Sequence, residues 1–320
     1  RRSLLRARAA EIAAILAGGV PVCVVSSGAI ALGLRRLGLA QRPRSLPRLQ
    51  AASALGQAAL QRVWQDALHA HGLEAAQILL TSAEIGERRA YVNAGNALTA
   101  IFALGAVPVV NENDATSTDE ISFGDNDALA AHVAVLLRAR LLVLLTSVPG
   151  VLHEGVLIED GAQAREVTFG PAGALGRGGM ESKVAAAELA AGAGIPTVIA
   201  GATPLGELLA GRVAGTRFDA ADAAPAFKLW LRHGKRVAGR IVVDAGAKRA
   251  VVENGASLLA VGIVAVEGAF RSGDGVELVD PDGVAFARGL AAADASELAG
   301  RPANVEAVHR DRLVLFPNRG

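Results

Sequence analysis

Two neighbouring stretches, Val-Pro-Val-Val-Asn-Glu-Asn-Asp at 107–114 and Phe-Gly-Asp-Asn-Asp at 123–127, decide how this chain folds. The apolar run 107–110 has the length and β-branched content of a buried strand, and it ends at four polar residues. The second stretch leads into an alanine-rich helical run at 128–137. In open α/β sheets, ligands bind at the carboxyl ends of strands, where the loops converge on a crevice. The pattern therefore predicts a strand and a helix whose two polar loops share one site.

Helical and strand patterns alternate through most of the chain. Strands are predicted at 20–25, 75–80, 107–110, 141–145 and 196–200, and helices at 4–16, 28–37, 49–71, 88–104, 128–137 and 184–191. This alternation is typical of parallel strands joined by right-handed crossovers and covered by helices on both faces. Beyond residue 237, short apolar runs between glycines are typical of a small β-barrel. We predict an α/β domain at 1–216, a linker at 217–237 and a β-rich domain at 238–320.

The composition excludes several classes of protein. Of the 320 residues, 52% are hydrophobic, which excludes a mainly disordered chain. The net charge of +1 gives no general attraction to nucleic acid or to an anionic membrane. Cys23 is the only cysteine, so it cannot form an internal disulfide, and a reducing cytoplasmic location fits best. The N-terminal Arg1-Arg2-Ser3 resembles a twin-arginine export signal, but glycines interrupt the following apolar run as loops around a strand do.

Three polar motifs are candidates for a functional site, and each has an ordinary structural alternative. The loop 177–183 places two glycines and Lys183 at the start of a helix, which suits phosphate oxygens; a solvated loop is the alternative. Ser27 follows a predicted strand, but it also suits the N-cap of the next helix. Asp114, Asn126 and Asp127 suit a polar substrate, Mg²⁺ or the orientation of lysines, although such residues also close turns. No set of cysteines or histidines indicates zinc or a serine hydrolase, and no protein metal site is predicted.

As an ordered set, these motifs resemble the glutamate 5-kinases (γ-glutamyl kinases) of the amino acid kinase family. The resemblance rests on residues 25–33, 55–57, 77–81, 111–114, 123–127 and 178–180, whose order and spacing match over nearly the whole chain. It implies the three-layer α/β/α fold of that family with a mostly parallel central sheet. Residues 243–247, 255–259, 262–263 and 268–270 look like the PUA domain that bacterial members carry.

The resemblance implies transfer of the γ-phosphoryl group of ATP, with Mg²⁺, to the side-chain carboxylate of L-glutamate, the first step of proline biosynthesis. It implies that Ser27, Asp114 and Asn126 contact glutamate. It also implies that Asp127 organises the catalytic lysines and that Lys183 stabilises charge on the transferring group. The residues implied to bind the nucleotide are Thr146, Ser147, Arg177, Gly178, Gly179, Met180, Glu181, Ser182 and Lys183. Because a carboxylate is already a nucleophile, alignment and charge neutralisation are the enzyme's main tasks.

The sequence departs from the family pattern in several places. The family has Thr-Asp where this chain has Thr146-Ser147, and a threonine where it has Arg177. The segment 151–167 is shorter than in the family. The family also begins with a strand that carries a lysine and a phosphate loop, and Arg1 corresponds to a position downstream of that strand. We therefore expect little kinase activity from the chain as given, and recovery when an upstream strand with its lysine is restored.

Other functions stay open on the sequence alone. Acetylglutamate, aspartate and uridylate kinases share the fold. Ser147 and the lysine missing from this sequence also suit an inactive regulatory paralogue. PUA domains elsewhere bind RNA, but residues 238–320 contain nine Lys/Arg and eleven Asp/Glu, which is unfavourable for binding a phosphate backbone. The resemblance also implies a homo-oligomer, either a dimer or a tetramer, and substrate channelling to γ-glutamyl phosphate reductase.

Overall fold

The computed structural model describes residues 2–39, 41–43, 45–116, 126–167, 179–201, 203–212, 215–221, 226–235, 237–303 and 305–316. The chain divides into two compact units, Arg1–Ala223 and Ala224–Gly320. The first unit mixes helices with short, mostly parallel strands, whereas the second is built around one six-stranded sheet.

The first unit alternates helices with strands, as its sequence pattern predicts. Its helices are α1 (Arg2–Ala17), α2 (Ala29–Arg36), α3 (Leu46–His69), α4 (Ser82–Gly86), α5 (Arg88–Ala103), α6 (Asn126–Leu137), α7 (Gly161–Ala164), α8 (Met180–Gly192) and α9 (Leu205–Leu209). Its strands are β1 (Val24–Val25), β2 (Ala75–Leu80), β3 (Val107–Glu112), β4 (Leu142–Leu145), β5 (Val151–His153), β6 (Val156–Ile158), β7 (Thr197–Ala200) and β8 (Thr216–Phe218). The predicted α/β class is confirmed.

The strands that the structure describes in the first unit form two three-stranded sheets and a hairpin. β3 lies between β1 and β2 and runs parallel to both, and β4 runs parallel to β7. β8 pairs antiparallel with β7, while β5 and β6 form the hairpin. Helix α6 packs against β1, β3 and β4, and therefore against strands of both sheets. Because parallel strands end at the same edge, the loops that follow β1, β2 and β3 lie on one side of their sheet.

Strand β3 is longer than its apolar run predicts, and β1 is shorter than predicted. Asn111 and Glu112 belong to β3 because the last two residues of β2 pair with them. Backbone pairing thus continues past the point where the side chains become polar. The predicted strand 20–25 is reduced to Val24–Val25. Extending its register would place Cys23 opposite Pro108, which has no amide hydrogen to donate to a ladder.

Helices α2 and α3 approach each other too closely for side chains at their crossing point. A Cβ atom on Gly33 would lie 1.7 Å from the carbonyl oxygen of Ala52, and one on Gly56 would lie 1.7 Å from that of Ala29. Ordinary contacts begin near 3.4 Å, so only glycine fits at these two positions. The two glycines therefore fix the position of α3 relative to α2, the helix that follows the loop after β1.

The segment 217–237, which the sequence pattern indicates as a linker, contains elements of both units. Arg217 and Phe218 belong to β8 in the first unit, and Phe218 is buried. In the second unit, α10 (Ala226–Leu229) runs into a π-helical turn, Trp230–Gly234, in which Trp230 is buried. Phe218 and Trp230 are thus large aromatic side chains that are buried within their own units. Their burial favours ordered structure in both parts of the segment.

The second unit is a curled sheet accompanied by short helices. After α10 it contains β9 (Val237–Val243), α11 (Ala245–Asn254), β10 (Leu258–Leu259), β11 (Ile263–Gly268), β12 (Gly275–Val279), β13 (Ala285–Ala291), α12 (Ala295–Ala299) and β14 (Glu306–Leu315). The strand order is β10-β14-β13-β12-β9-β11, with only β9 and β12 parallel. β10 and β11 are the two outer strands of this order, yet only the short turn Ala260–Gly262 separates them in the chain. The sheet must therefore curl, as the predicted small barrel requires.

An aliphatic core fills the second unit. Its fully buried members include Ile241, Leu258, Leu278 and Leu298, with Phe270 as the buried aromatic side chain. Among the described residues of the whole chain, none of the helices has both the length and the apolar character that a membrane span needs.

Candidate active site

Two buried polar side chains lie at the carboxyl end of β3. Asn111 is only 2% exposed and Glu112 only 5% exposed, although water normally solvates both kinds of side chain. The chain turns immediately after the strand, which places Asp114 just beyond it. Buried polar groups have hydrogen-bond partners or a functional reason to be buried. These side chains therefore make the end of β3 a candidate site.

Helix α3 supplies hydrogen-bond partners to this end of the strand. The hydroxyl of Ser53 donates to Oδ2 of Asp114 at 2.8 Å, and Nδ2 of Asn111 donates to Oε1 of Gln57 at 2.7 Å. Ser53 is itself buried. Because Ser53 and Gln57 are four residues apart, they lie on the same face of the helix. One face of α3 therefore holds the polar side chains that follow β3.

Burial raises the pKa values of the two carboxyl groups at this site. The pKa of Glu112 is raised to about 7, mainly by burial and further by the negative charge of Asp114. The pKa of Asp114 is also raised by burial, while the hydrogen bond from Ser53 and the charge of Arg42 act in the opposite direction. A bound cation would favour the charged form of both carboxyl groups. The pair is therefore suited to a ligand that carries a positive charge, such as an ammonium group.

The loop after β1 lies beside the end of β3. The amide of Ser26 donates to the carbonyl of Val110 at 2.9 Å, and Nε1 of Trp64 donates to Oγ of Ser26 at 2.8 Å. Ser27 is exposed. It does not cap the next helix, because Gly28 is the N-cap of α2, with a φ of 111° and no side-chain cap hydrogen bond. The helix-capping alternative for Ser27 is therefore wrong, and its side chain lies exposed at the sheet edge.

A lysine and a carboxylate meet where α6 packs against α8. Nζ of Lys183 lies 2.7 Å from Oδ1 and 2.8 Å from Oδ2 of Asp127, so the ammonium group contacts both oxygens. The two side chains are mostly buried, at 17% and 14% exposed. Lys183 is near the start of α8 and Asp127 is in the first turn of α6. Helix packing, rather than closeness in sequence, therefore forms this ion pair.

The first residue of α6, Asn126, carries an unpaired hydrogen-bond acceptor. Its Oδ1 atom is buried and has no hydrogen-bond partner among the described residues. A buried unsatisfied polar group costs about 1–3 kcal/mol, and a ligand donor would remove that cost. Asn126 directly precedes Asp127, so the acceptor belongs to the same turn of helix as the ion pair. The position suits an N–H group of a ligand.

Two of the residues that the resemblance assigns to the nucleotide lie at the carboxyl end of β4. Thr146 follows the strand directly, and its amide donates to the carbonyl of Ala200 at 2.9 Å. Ser147 is exposed. A Cβ atom on Gly201 would lie 2.8 Å from the carbonyl oxygen of Val148, so the loop after β4 passes close to the end of β7. The two loops at this sheet edge are therefore in contact.

The other described residues assigned to the nucleotide lie at the start of α8. Gly179 is the N-cap of this helix, and 180–182 form its first turn. The first amides of a helix have no partner within the helix and favour bound anions. Arg177 and Gly178 lie outside the described residues, as do 123–125 of the loop that precedes α6.

Helix α6 connects these groups of residues. It packs against β1 and β3 of the first sheet, β4 of the second sheet and α8. Its first turn carries Asn126 and Asp127, and Asp127 is joined directly to Lys183. Asp114 is joined instead to α3, and Ser27 lies at the end of β1. The candidate residues thus occupy strand ends and helix starts that pack around α6.

The residues that support this site are not predicted from the sequence. Ser53 and Trp64 belong to none of the motifs, and Gln57 belongs only to the motif 55–57. Glu112 is predicted to lie beyond the end of its strand. A signal for the supporting face is nevertheless present, because Ser53, Gln57 and Gln61 recur every four residues in an alanine-rich helix. Polar residues at that spacing share one face of a helix.

Comparison with known proteins finds relatives for both parts of the chain. The model of the amino acid kinase family matches residues 1–201, and the PUA domain model matches residues 239–304. The chain is 46% identical to a glutamate 5-kinase of Streptomyces avermitilis over 93% of this chain and 87% of that protein. It is 45% identical to a glutamate 5-kinase of Sphingopyxis alaskensis over 99% of this chain and 92% of that protein. A solved PUA domain of Aeropyrum pernix K1 is 32% identical over 26% of this chain and 48% of that chain, with a TM-score of 0.23.

Proposed function

The chain belongs to the amino acid kinase family, with glutamate 5-kinases as its relatives, and on that premise we propose that it phosphorylates L-glutamate with ATP. A side-chain carboxylate oxygen of glutamate attacks the γ-phosphorus, the bond to the β–γ bridging oxygen breaks, and ADP leaves. The product is γ-glutamyl phosphate, which makes this reaction the first step of proline biosynthesis. No proton is removed from the nucleophile, so the site needs no general base.

The observation that carries this proposal is the ion pair of Lys183 and Asp127 beside the unpaired acceptor of Asn126. Phosphoryl transfer to a carboxylate brings two anions together, and a fixed ammonium group lowers the free energy of that approach. Asp127 holds Lys183 by both oxygens, which fixes where the positive charge lies. Lys183 then stabilises the negative charge of the transferring phosphoryl group. Asp127 orients the ammonium group of Lys183 for this role.

The amino acid is proposed to bind between the ends of β1 and β3 and the start of α6. The carboxylate of Asp114 and Oδ1 of Asn126 accept hydrogen bonds from its ammonium group, and the hydroxyl of Ser27 contacts its polar atoms. The raised pKa of Asp114 supports this role, because a bound ammonium group stabilises the charged carboxylate that burial disfavours. A substrate without a free ammonium group would leave these acceptors unpaired, which favours glutamate over acetylglutamate.

The nucleotide is proposed to bind between the end of β4 and the start of α8. Thr146 and Ser147 contact it from the strand end, and the amides at 179–182 bind its phosphate oxygens. Arg177 and Gly178 are proposed to complete the phosphate loop. Mg²⁺ enters bound to ATP, because it prefers phosphate oxygens, water and one or two carboxylates to a cage of protein ligands.

A hydroxamate assay tests the reaction, since hydroxylamine traps an acyl phosphate. The assay is run on residues 1–320 and on an extended chain to which a strand with a lysine has been added; activity is expected in the extended chain, in which all variants below are made. Each chain is incubated with ATP, Mg²⁺ and L-glutamate, or with L-aspartate or N-acetyl-L-glutamate in place of glutamate, and ADP release is measured when uridine monophosphate is the acceptor. We expect glutamate to give the highest kcat/KM of the four acceptors. Efficient turnover of another acceptor with no turnover of glutamate would overturn the proposal.

The cellular setting is part of the same proposal. We place the reaction in the cytoplasm, where ATP and glutamate are available and a single cysteine stays reduced. The protein is proposed to assemble as a dimer or tetramer, and to pass γ-glutamyl phosphate to its reductase. Size-exclusion chromatography with light scattering measures the assembly, and a monomer at micromolar concentration would contradict it.

A further inference from the structure

Three side chains of α3 contact three different parts of the proposed amino acid site. Ser53 donates to Asp114, Gln57 accepts from Asn111, and Trp64 donates to Ser26 in the loop that carries Ser27. At 100° per residue, positions 53, 57 and 64 lie within about 40° of one another around the helix axis. A single narrow face of one helix therefore supplies all three hydrogen bonds.

The position of α3 is itself fixed at two points. Gly33 and Gly56 bring its backbone against α2, where no additional atom fits. On the same face, Nε2 of Gln61 donates to the carbonyl of Ala75, and the amide of Ala75 donates to Oε1 of Gln65. Ala75 begins β2, so these two bonds tie α3 to the amino end of the first sheet. The face of α3 thus runs from the amino end of the sheet to its carboxyl end, where the site lies.

We propose that α3 aligns the amino acid site, and that Ser53 and Gln57 are positioning residues that set the orientation of Asp114 and Asn111 for substrate binding. The inference rests on the proposed function of this site. Ser53 occupies Oδ2 of Asp114, which directs Oδ1 toward the ammonium group of the amino acid. Gln57 accepts from Nδ2 of Asn111, which fixes the direction of that amide at the end of β3.

A role of Ser53 in alignment and a role in stability alone predict different effects of its replacement. Both Ser53 and Gln61 hydrogen-bond from α3 to another element, and loss of either bond removes a similar interaction. The bond of Ser53 ends on a side chain of the site, whereas that of Gln61 ends on backbone at the opposite edge of the sheet. A structural role alone would lower the melting temperature in both variants and leave the KM for glutamate unchanged.

The experiment compares Ser53→Ala, Ser53→Thr and Gln61→Leu with the wild-type chain. For Ser53→Ala we expect the KM for glutamate to rise about tenfold, because a hydrogen bond to a charged group is lost, while the KM for ATP changes less than about twofold. Ser53→Thr keeps the hydroxyl and is expected to restore the KM for glutamate to within about threefold of wild type. Gln61→Leu keeps the bond from Ala75 to Gln65 and the close contacts at Gly33 and Gly56, which still hold α3 in place. It is therefore expected to lower the melting temperature without changing either KM.

Binding is measured separately from turnover by the rise in melting temperature that saturating glutamate causes without ATP. The proposal is supported if glutamate stabilises the wild-type chain and stabilises Ser53→Ala less. It is overturned if Ser53→Ala binds glutamate as the wild type does, or if its two KM values rise together. A wild-type chain that neither binds nor phosphorylates glutamate would refute the proposed function itself, and the alignment of a glutamate site with it.

Discussion

Replacement of Gly56 by alanine tests how strictly the crossing of α2 and α3 positions the site. The new Cβ atom would lie 1.7 Å from the carbonyl oxygen of Ala29, where an ordinary contact needs about 3.4 Å. Both groups belong to helix backbones, so the helices must separate by about 1.7 Å at this point. Overpacking of this kind costs about 1–3 kcal/mol, and the higher helix propensity of alanine offsets at most about 1 kcal/mol of it.

The same displacement reaches the proposed amino acid site, because Ser53 and Gln57 are one turn or less from Gly56. Their hydrogen bonds are 2.8 and 2.7 Å long, and neither tolerates a shift of more than about 0.5 Å. We therefore expect Gly56→Ala to lower the melting temperature by several degrees and to raise the KM for glutamate about tenfold or more.

Differential scanning fluorimetry measures the first effect, and the hydroxamate assay measures the second. Gly192→Ala is the matched control, since it is also a helical glycine and a Cβ atom there meets nothing within 4 Å. That control is expected to melt at or slightly above the wild-type temperature with an unchanged KM. If Gly56→Ala behaves like Gly192→Ala, the two helices are not held by this contact and the reasoning is wrong.

Three further predictions follow from the first unit. The pKa of Glu112 is raised to about 7, so the folded state binds this proton more tightly than the unfolded state and wild-type stability falls as the pH rises from about 4.5 to about 7. Glu112→Gln has no carboxyl group here and does not lose stability in this way. The difference between its melting temperature and that of the wild type should therefore increase from about pH 4.5 to about pH 7 and then level off. Asp127→Asn leaves the ammonium group of Lys183 without its carboxylate and should lower kcat by about two powers of ten in the hydroxamate assay. Thr216→Val leaves the buried amide of Val151 without an acceptor and should lower the free energy of unfolding by about 1–3 kcal/mol in urea titrations.

Each of these three changes has a matched control in the chain. Glu253→Gln alters an exposed glutamate and should show no pH-dependent difference from wild type. Arg212→Ala breaks an exposed ion pair with Glu207 and should leave kcat unchanged. Thr99→Val removes an exposed threonine hydroxyl that donates to its own helix, and should change stability by less than about 0.5 kcal/mol. Equal effects in a variant and its control would contradict the corresponding prediction.

The secondary structure of the first unit is largely predictable from its sequence, because the apolar runs are short and clearly bounded. Strand β2 has the predicted limits, since Glu74 and Thr81 flank a mainly apolar run of the right length. Helix limits differ from the prediction by a few residues, as expected where ends depend on caps and not on apolar spacing. The end of β3 differs for another reason: Asn111 and Glu112 are polar, and only pairing with β2 makes them part of the strand.

The candidate site is less predictable, because its contacts join residues that are far apart in the chain. The resemblance indicated roles for Lys183 and Asp127, and their contact depends on how α6 packs against α8. The bond of Ser53 to Asp114 depends on where α3 lies, which two close backbone contacts determine. A glycine in a helical pattern does not reveal which backbone it touches. The four-residue spacing of polar side chains therefore predicts that they share one face of α3. It does not predict which loops that face contacts.

The chain contains two tryptophans, and the two compact units contain one each, Trp64 in the first and Trp230 in the second. Both indole rings are buried, so unfolding of either unit transfers a fluorophore from an apolar environment into water. Replacing Trp230 with phenylalanine leaves an emission signal that reports only the first unit, without labelling the protein. Since chains with two units need not unfold in one step, the red shift of that single emitter gives the melting of the catalytic part alone. The same emitter donates a hydrogen bond to the loop that carries Ser27, so we expect glutamate bound at the proposed site to change its emission intensity.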